Sequence, residues 1–232
     1  MHSYRDAVTS QAAPPLLPQT DLVGYNSLIE FLAQYRIGQI DGDFLEIGCF
    51  LGGGTAKLAQ LATALGKRVW VIDIFDADFD ETKNAGGQSM AGYYRTHLRG
   101  ASQEEIFKAV TKPWTKSIHV IKEDSRKVRF PPQTRFSFAF ADGNHDPAWV
   151  ENDFRLLWSH LNPGGWAGFH DYAGDLPQVT ATLDWMLREY AGDIDRVETI
   201  PEKWLLLVHK RSDLAPSPKE NPSDSRTNCP AG

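Results

Sequence analysis

The decisive stretch of the chain is Glu46-Ile-Gly48-Cys-Phe-Leu-Gly52-Gly-Gly54-Thr55, which joins an apolar, strand-like run to a helical pattern. A glycine-rich turn in this setting lets a ligand approach the backbone closely, and it aims the free N–H groups of the helix at that ligand. The spacing of Gly48 and Gly52 is not the GxGxxG that cradles the pyrophosphate of a dinucleotide. An acid two residues before the first glycine favours a ligand that carries an ammonium group instead of phosphates.

Strand-like and helical patterns alternate on both sides of this turn. The predicted strands are residues 43–48, 68–73, 117–122, 136–142 and 166–171, and the predicted helices lie at 58–65, 146–161 and around 179–190. Nearly continuous apolar strands that alternate with helices indicate a parallel sheet covered on both faces. Residues 196–200 and 204–209 are separated by a few residues around Pro201, which permits a hairpin but not a crossover. The sequence therefore predicts an α/β fold with a Rossmann-like, doubly wound, mostly parallel sheet that ends antiparallel.

The length of the chain suits one α/β domain, which we place at residues 23–211. Residues 1–22 are predicted to form an N-terminal arm, and residues 212–232, which are poor in apolar side chains, a disordered tail. Residues 76–115 carry no strand signal, yet they hold several aromatic residues and a helical pattern at 104–110. A connection of this length inside a compact domain is usually functional, so we expect a substrate-side insertion there.

Composition and charge argue against several classes of protein. The 232 residues carry a formal net charge of −6 and no basic footprint of the kind that nucleic-acid binders show. The two cysteines, Cys49 and Cys229, form no CxxC pair, which argues against a disulfide framework and a structural zinc site. The chain has no signal pattern and no apolar run of the roughly 18 residues that a membrane span needs. We therefore expect a cytoplasmic protein without nucleic-acid or membrane partners.

Further polar residues at strand ends extend the predicted ligand site. Asp73 ends the second strand, where an acid can bind ribose hydroxyls, and Asp124 and Ser125 follow the third strand, where they could meet an adenine edge. S-adenosylmethionine carries an adenosine, an ammonium and a carboxylate but no phosphate, so it fits this arrangement better than a dinucleotide. The predicted cofactor-binding residues are Glu46, Gly48, Gly52, Gly54, Thr55, Asp73, Asp124, Ser125 and Asp142.

These ordered motifs resemble those of class I S-adenosylmethionine-dependent methyltransferases. The resemblance rests on the turn from Glu46 to Gly52, the strand end at Asp73 and the stretch Leu161-Asn-Pro-Gly-Gly165, and it covers roughly residues 40–210. It implies a seven-stranded sheet whose last strand is antiparallel, in agreement with the predicted hairpin. An NAD-linked oxidoreductase is the alternative enzyme on such a frame, although the missing GxGxxG counts against it.

A second group of polar residues follows the fourth and fifth strands, in Asp142-Gly-Asn144-His145-Asp146 and His170-Asp171-Tyr172. Neighbouring strand ends face one crevice in a doubly wound sheet, and a hard divalent cation would balance the carboxylates that meet there. Asp142 and Asp171 are predicted to bind Mg²⁺, with His170 or Asn144 completing the set. A histidine ligand would favour a softer ion such as Mn²⁺.

Both motifs are similar to those of metal-dependent O-methyltransferases that act on sugars of macrolides and polysaccharides, and to the cephalosporin hydroxylase-like group. The macrolide-sugar members usually carry two adjacent acids in the second motif. This chain has His170 at the first of those positions, which leaves the third metal ligand open. The resemblance implies an S-adenosylmethionine- and metal-dependent O-methyltransferase whose small acceptor is a sugar or saccharide.

Methyl transfer from a sulfonium asks mainly for positioning and for deprotonation of the acceptor hydroxyl. His145, an imidazole with an ordinary pKa of about 6.5, is the first candidate for the base, and Asp142 is the second. A non-catalytic binding protein is the remaining alternative, against which the collected acids and histidines argue. Aromatic residues in the insertion suit a sugar face, but a phenolic ring would stack there too. The N-terminal arm could cover a partner subunit, so a homo-oligomer is left open.

Overall fold

The computed structural model describes residues 20–213, which form seven strands and six α-helices. The strands are β1 (Asp43–Ile47), β2 (Val69–Asp73), β3 (Ile118–Lys122), β4 (Phe136–Ala141), β5 (Leu161–Phe169), β6 (Ile194–Ile200) and β7 (Leu205–Lys210). The helices are α1 (Tyr25–Gln34), α2 (Gly53–Ala64), α3 (Met90–Leu98), α4 (Gln103–Thr111), α5 (Pro147–His160) and α6 (Pro177–Glu189). The predicted arm and tail, 1–22 and 212–232, lie outside the described residues apart from 20–22 and 212–213.

The strands form one sheet in the order β3-β2-β1-β4-β5-β7-β6. Strand β7 pairs antiparallel with both of its neighbours, and all other pairs are parallel. The predicted Rossmann-like sheet and its terminal hairpin are therefore confirmed. The strand order reverses between β1 and β4, and ligands of such sheets bind in the crevice beyond the carboxyl ends of the strands at this point.

Helices cover both faces of the sheet, and the alternation of side chains along each strand explains two separate cores. Phe44 of β1 and Phe138 of β4 pack towards α1, α2 and α4 in one core. Their chain neighbours Leu45 and Ala139 pack towards α5 and α6 in the other core. All six residues of β4 are buried, as expected for a strand in the middle of a covered sheet.

Two helices were not predicted from the sequence. The apolar residues of α1 do follow helical spacing, and Tyr25, Leu28, Phe31 and Leu32 are buried. Helix α3 lies in the predicted insertion and buries only Ala91 of its nine residues. It therefore lacks the apolar stripe from which a helix is predicted. Helix α4 covers the helical pattern predicted at 104–110. None of the helices among the described residues is long and apolar enough to cross a membrane.

The stretch Asn162-Pro-Gly-Gly165 does not form a separate loop after α5. The helix ends at His160, and β5 begins at Leu161, which pairs with Phe136. The register then shifts, so that Trp166 pairs with Phe138, and the four intervening residues bulge from the ladder. Because β5 ends at Phe169, the polar pair that follows it leaves the sheet into the crevice.

Candidate active site

The turn after β1 approaches the turn after β4 so closely that Gly48 has no room for a side chain. A Cβ atom at this position would lie 2.0 Å from the carbonyl oxygen of Asp142, and the φ angle of Gly48 is +81°. Hydrogen bonds fix the approach, because the amide of Asp142 donates to the carbonyl of Ile47 at 2.8 Å. Beyond this contact lies a cleft, here named the cofactor cleft, whose wall includes Gly48, Asp73 and Asp142.

Glu46 and Thr55, both predicted to bind the cofactor, lie under the glycine-rich turn and are not among the residues that line the cleft. Both side chains are fully buried. The Tyr25 hydroxyl donates a 2.8 Å hydrogen bond to Glu46, and the Thr55 hydroxyl donates to its other oxygen. Burial raises the pKa of Glu46 to about 8. Gly54 rests against the Tyr25 ring, where a Cβ would come within 2.3 Å. These residues shape the turn from behind.

Asp73 is placed where the sequence predicted, at the end of β2 and on the wall of the cofactor cleft. Its carboxylate also braces the turn, because it accepts hydrogen bonds from the backbone amides of Cys49 at 2.8 Å and Phe50 at 3.3 Å. Gln103 of the insertion donates to the other oxygen at 3.3 Å. Burial raises the pKa of Asp73 despite these donors. Asp73 therefore contacts both the insertion and the glycine-rich turn, and it also lines the cleft.

The far end of the cofactor cleft is lined by Asp124, Ser125, Trp149 and Asp153. Arg126 donates to Asp124 at 2.7 Å and holds the pKa of that carboxyl below its usual range. The guanidinium of Arg126 also covers the Trp149 ring, 3.6 Å from its centre. Asp153 is buried on α5, and burial raises its pKa to about 7. This end of the cleft therefore combines one aromatic ring with polar side chains.

A buried imidazole lies between two carboxylates at the ends of β4 and β5. His145 contacts Asp80 through Nδ1 at 2.5 Å and Asp171 through Nε2 at 2.8 Å. Asp80 belongs to the predicted insertion and also accepts hydrogen bonds from the amide and hydroxyl of Thr82. Both ring nitrogens of His145 are thus engaged, and its side chain is almost closed to solvent.

Asp142, His170 and Asp171 come together in the same cluster, and one ligand atom from each lies within 4.8 Å of the others. The Nδ1 atom of His170 is 3.2 Å from Asp142 and 3.1 Å from Asp171. Asp171 has a φ angle of +59°, a conformation that costs energy for residues other than glycine and recurs at functional sites. The side-chain amide of Asn144, the other residue predicted to complete the set, donates a hydrogen bond to the carbonyl of Phe79.

The charges of the cluster are balanced by pairing. Burial alone would lower the pKa of His145 and His170, but the adjacent carboxylates raise each to about 10. Burial would likewise raise the pKa of Asp80 and Asp171, but the two imidazoles lower both below their usual range. The paired carboxylates therefore favour the protonated form of both imidazoles. Both ring nitrogens of His145 are already engaged, one by Asp80 and the other by Asp171.

A second cavity of about 350 Å³, here named the acceptor cavity, opens on the other side of the cluster. Its wall includes Asn84, Tyr93 and Tyr94 of the insertion, together with Lys203 and Trp204 from the turn between β6 and β7. The volume falls in the range of small-molecule sites. Asp142 and Tyr94 border both this cavity and the cofactor cleft, so the two spaces meet at the end of β4.

A family model described as a methyltransferase domain matches residues 45–172, more than half of the chain, and this span contains the glycine-rich turn and the polar cluster. The chain belongs to this methyltransferase family. The prediction of an S-adenosylmethionine-dependent methyltransferase is confirmed by that match. No match was found among curated proteins.

Solved structures with a similar fold include several methyltransferases. The O-methyltransferase NovP superposes with a TM-score of 0.61 at 15% identity, covering 82% of this chain and 80% of its own. CalS11, a TDP-rhamnose 3'-O-methyltransferase of calicheamicin biosynthesis, gives a TM-score of 0.52 at 17% identity over 89% and 91% of the two chains. MycE, solved with Mg, S-adenosylhomocysteine and mycinamycin VI, gives 0.50 at 15% identity over 84% and 52%. At these identities the likeness establishes the shared fold.

Several site residues were missed from the sequence. Asp80 lies 65 residues from His145 and stands among other acids of the insertion, so no spacing singles it out. Trp204 follows a short turn between two strands. An aromatic residue at such a position is ordinarily predicted to belong to the strand. Four aromatic residues of the insertion were expected near the substrate: Tyr93 and Tyr94 line the acceptor cavity, whereas Phe107 and Trp114 are buried in the core.

Proposed function

We propose that this methyltransferase transfers a methyl group from S-adenosylmethionine to a hydroxyl of a small, sugar-like acceptor, with a divalent cation held by Asp142, His170 and Asp171. The observation that carries the proposal is the position of Asp142, which borders the cofactor cleft on one side and the acceptor cavity on the other. A group bound in the cleft and a group bound in the cavity would meet at this carboxylate, as an in-line transfer requires.

The residues of the cofactor cleft fit the parts of S-adenosylmethionine. Gly48 lines the cleft at the carboxyl end of β1, and Asp73 offers a carboxylate at the end of β2 for ribose hydroxyls. Trp149 and Ser125, which both line the cleft, offer an aromatic ring and a hydroxyl of the kind that an adenine needs. A dinucleotide would require a glycine turn of different spacing, so the oxidoreductase alternative gains no support here.

The donor set of the cluster suits a divalent cation. Two carboxylates and one imidazole converge within 4.8 Å, and a mixed oxygen and nitrogen set is compatible with Mg²⁺ and more so with Mn²⁺. Binding through His170 requires loss of the imidazolium proton, so affinity for the cation should rise with pH. When bound, such a cation polarises the acceptor hydroxyl and lowers its pKa.

The base is assigned to Asp142 in this proposal, although His145 was the first candidate in the sequence. Both nitrogens of the His145 imidazole are engaged, Nδ1 by Asp80 and Nε2 by Asp171, so neither is free to accept a proton from the acceptor. It is therefore suited to fixing the orientation of Asp171. In the transfer, the acceptor oxygen forms a bond to the methyl carbon, the carbon–sulfur bond breaks to leave S-adenosylhomocysteine, and the hydroxyl proton passes to Asp142.

The structural neighbours agree with the class of acceptor. NovP is an O-methyltransferase, CalS11 acts on TDP-rhamnose, and MycE was solved with Mg and mycinamycin VI. The acceptor cavity of this chain combines tyrosine and tryptophan rings with amide and carboxylate groups, as recognition of a hydroxyl-rich ring requires. These points together favour a sugar over a purely apolar acceptor.

The test is transfer of labelled methyl groups to a panel of glycosides and catechols, with and without EDTA. We expect a glycoside to be methylated, chelation to suppress turnover, and Mg²⁺ or Mn²⁺ to restore it. Asp171→Ala should lose at least about 100-fold in kcat, because it removes a proposed cation ligand together with the partner of His145. Exposed Asp195→Ala, which has a histidine partner outside the site, is the matched control.

Two results would contradict parts of the proposal separately. Normal turnover by fully chelated enzyme would exclude the cation while leaving the methyl transfer in place. Labelling of catechols alone would exclude the sugar while leaving the cation in place.

A further inference from the structure

The turn between β6 and β7 holds an aromatic residue in an unusual backbone conformation. Residues Pro201–Lys203 form one turn of 3₁₀ helix, and Trp204 follows with φ 49° and ψ 36°. A bulky residue in this left-handed region is strained, and such strain persists only where the surroundings hold it in place. Trp204 is nevertheless 42% exposed, so burial of its ring does not offset the cost of the strain.

The surroundings of Trp204 fix its ring on the wall of the acceptor cavity. Its carbonyl accepts a 3.0 Å hydrogen bond from the amide of Tyr172, directly after Asp171. Its ring packs on Gly174, where a Cβ atom would come within 2.8 Å of the indole. The ring centre lies 6.4 Å from that of His170. The conformation therefore aims an apolar surface into the cavity beside the polar cluster.

Hydrogen-bonding side chains surround this apolar surface. Asn84 of the insertion donates to the carboxylate of Asp175 at 3.1 Å, and both line the cavity together with Gln88 and Lys203. No hydrogen bond or ion pair joins the Lys203 ammonium to another of the described residues 20–213, although its side chain is partly buried. Amide, carboxylate and ammonium groups around one aromatic face match a ring with an apolar face and several hydroxyls at its edge.

We propose that Trp204 is the platform on which the acceptor ring stacks, and that Asn84, Asp175 and Lys203 form hydrogen bonds to the hydroxyls at the edge of that ring. The cavity thereby selects a pyranose over a phenol. This rests on the proposed function and makes it more specific. A phenolic ring would also stack on the indole, but it would leave the Lys203 ammonium without a partner. Sites built to bind hydroxyls discriminate strongly against ligands that lack them.

The test compares Trp204→Ala and Trp204→Phe with Trp185→Ala. Trp185 lies on α6 with a similar exposure of 41% and borders neither the cofactor cleft nor the acceptor cavity, so its variant controls for the loss of an exposed indole. For the glycoside that the native enzyme methylates, we expect Trp204→Ala to raise KM about tenfold, with a smaller change in kcat. The KM of Trp204→Phe should stay within a few-fold of the native value, and the KM of Trp185→Ala should equal the native value.

Calorimetric titration of the same glycoside into protein loaded with S-adenosylhomocysteine gives a readout independent of turnover. Affinity should fall about tenfold in Trp204→Ala only, while affinity for S-adenosylhomocysteine stays native in all three variants and shows that they fold. Equal KM and affinity in Trp204→Ala and Trp185→Ala would overturn the platform while glycoside methylation stands. Absence of glycoside methylation by the native enzyme would instead overturn the proposed acceptor class, and the pyranose platform with it.

Discussion

The cofactor cleft and the acceptor cavity share Asp142, yet several of their buried carboxyl groups are in opposite states, with Asp124, which pairs with Arg126, as the exception on the cofactor side. On the cofactor side, Glu46 and Asp153 have pKa values raised by burial to about 8 and about 7, and neutral donors are their hydrogen-bonding partners. On the acceptor side, Asp80 and Asp171 face imidazoles that lower their pKa values. The first side is a desolvated scaffold for a backbone turn, and the second is a set of paired charges.

The difference indicates how each side can respond to a ligand. Buried, weakly charged groups offer shape and neutral hydrogen bonds, so the cofactor side should be sensitive to the volume of its residues. Paired charges can exchange partners, so a cation can replace the imidazolium protons on the acceptor side. Substitutions that change volume should therefore damage cofactor binding, and substitutions that change charge should damage turnover.

The largest effect is expected on cofactor affinity when volume is added on the cofactor side, in Gly48→Ala. The added methyl would meet the Asp142 carbonyl at 2.0 Å and force the β1 and β4 turns apart. Affinity for S-adenosylhomocysteine should fall about 100-fold or more by calorimetry, which corresponds to roughly 3 kcal/mol. Gly66→Ala is the matched control, because Gly66 also has a positive φ but has nothing within 4 Å of its Cβ position. Native affinity in Gly48→Ala would place the cofactor elsewhere.

A smaller effect, on turnover instead of cofactor binding, is expected for Asp80→Asn on the acceptor side. The amide keeps the size of the side chain but removes the charge that holds the His145 imidazolium against Asp171. We expect kcat and cation affinity to fall about 10- to 100-fold, as is typical when a residue that orients a metal ligand is changed. Affinity for S-adenosylhomocysteine should stay native.

Asp78→Asn controls for loss of a charge in the same segment. Asp78 lies two residues earlier, is exposed and pairs with Arg95. If Asp80→Asn were as active as Asp78→Asn, the carboxylate–imidazole–carboxylate arrangement would have no part in positioning the cluster.

The same two sides differ in how well the sequence predicted them. Gly48 and Asp73 were predicted because they follow strands, and the carboxyl ends of parallel strands meet at one edge of the sheet. Asp142, His170 and Asp171 were predicted on the same ground, and the structure brings their ligand atoms together. Strand ends are encoded locally, by an apolar run followed by a polar residue, so one sequence suffices to find them.

The sequence is less informative where position depends on a different rule. Glu46 was predicted to bind the cofactor, but side chains alternate along a strand, and Glu46 shares the face of Phe44 under α1 and α2. Asp80 and Trp204 come from connections whose path is set by long-range packing. Nothing local distinguishes Asp80 from Asp76 or Asp78 in the sequence. The contacts of the predicted insertion could be found only from the fold.

The smallest effect, on the pH dependence of stability, is expected when an ionisable group is removed on the cofactor side, in Asp153→Asn. Burial raises the pKa of this carboxyl from its ordinary 3.8 to about 7, so the folded protein keeps a proton that the unfolded chain releases near pH 4. Ionising the group costs the folded state stability, and this cost grows from about pH 4 and levels off above about pH 7. The asparagine has no such cost.

The free energy of unfolding of Asp153→Asn, measured against the native protein in urea at each pH, should therefore improve by about 1–3 kcal/mol between pH 4 and pH 8. Any constant offset from the altered hydrogen bond to Asn152 does not affect this slope. Glu151→Gln, on the half-exposed side of the same helix, removes a charge paired with Arg155 and should show no such gain. A flat difference for Asp153→Asn would mean that this carboxyl is ionised in the folded state at pH 4 already. The cofactor side would then hold a stabilised charge, as the acceptor side does, and the contrast between the two sides would fail at this residue.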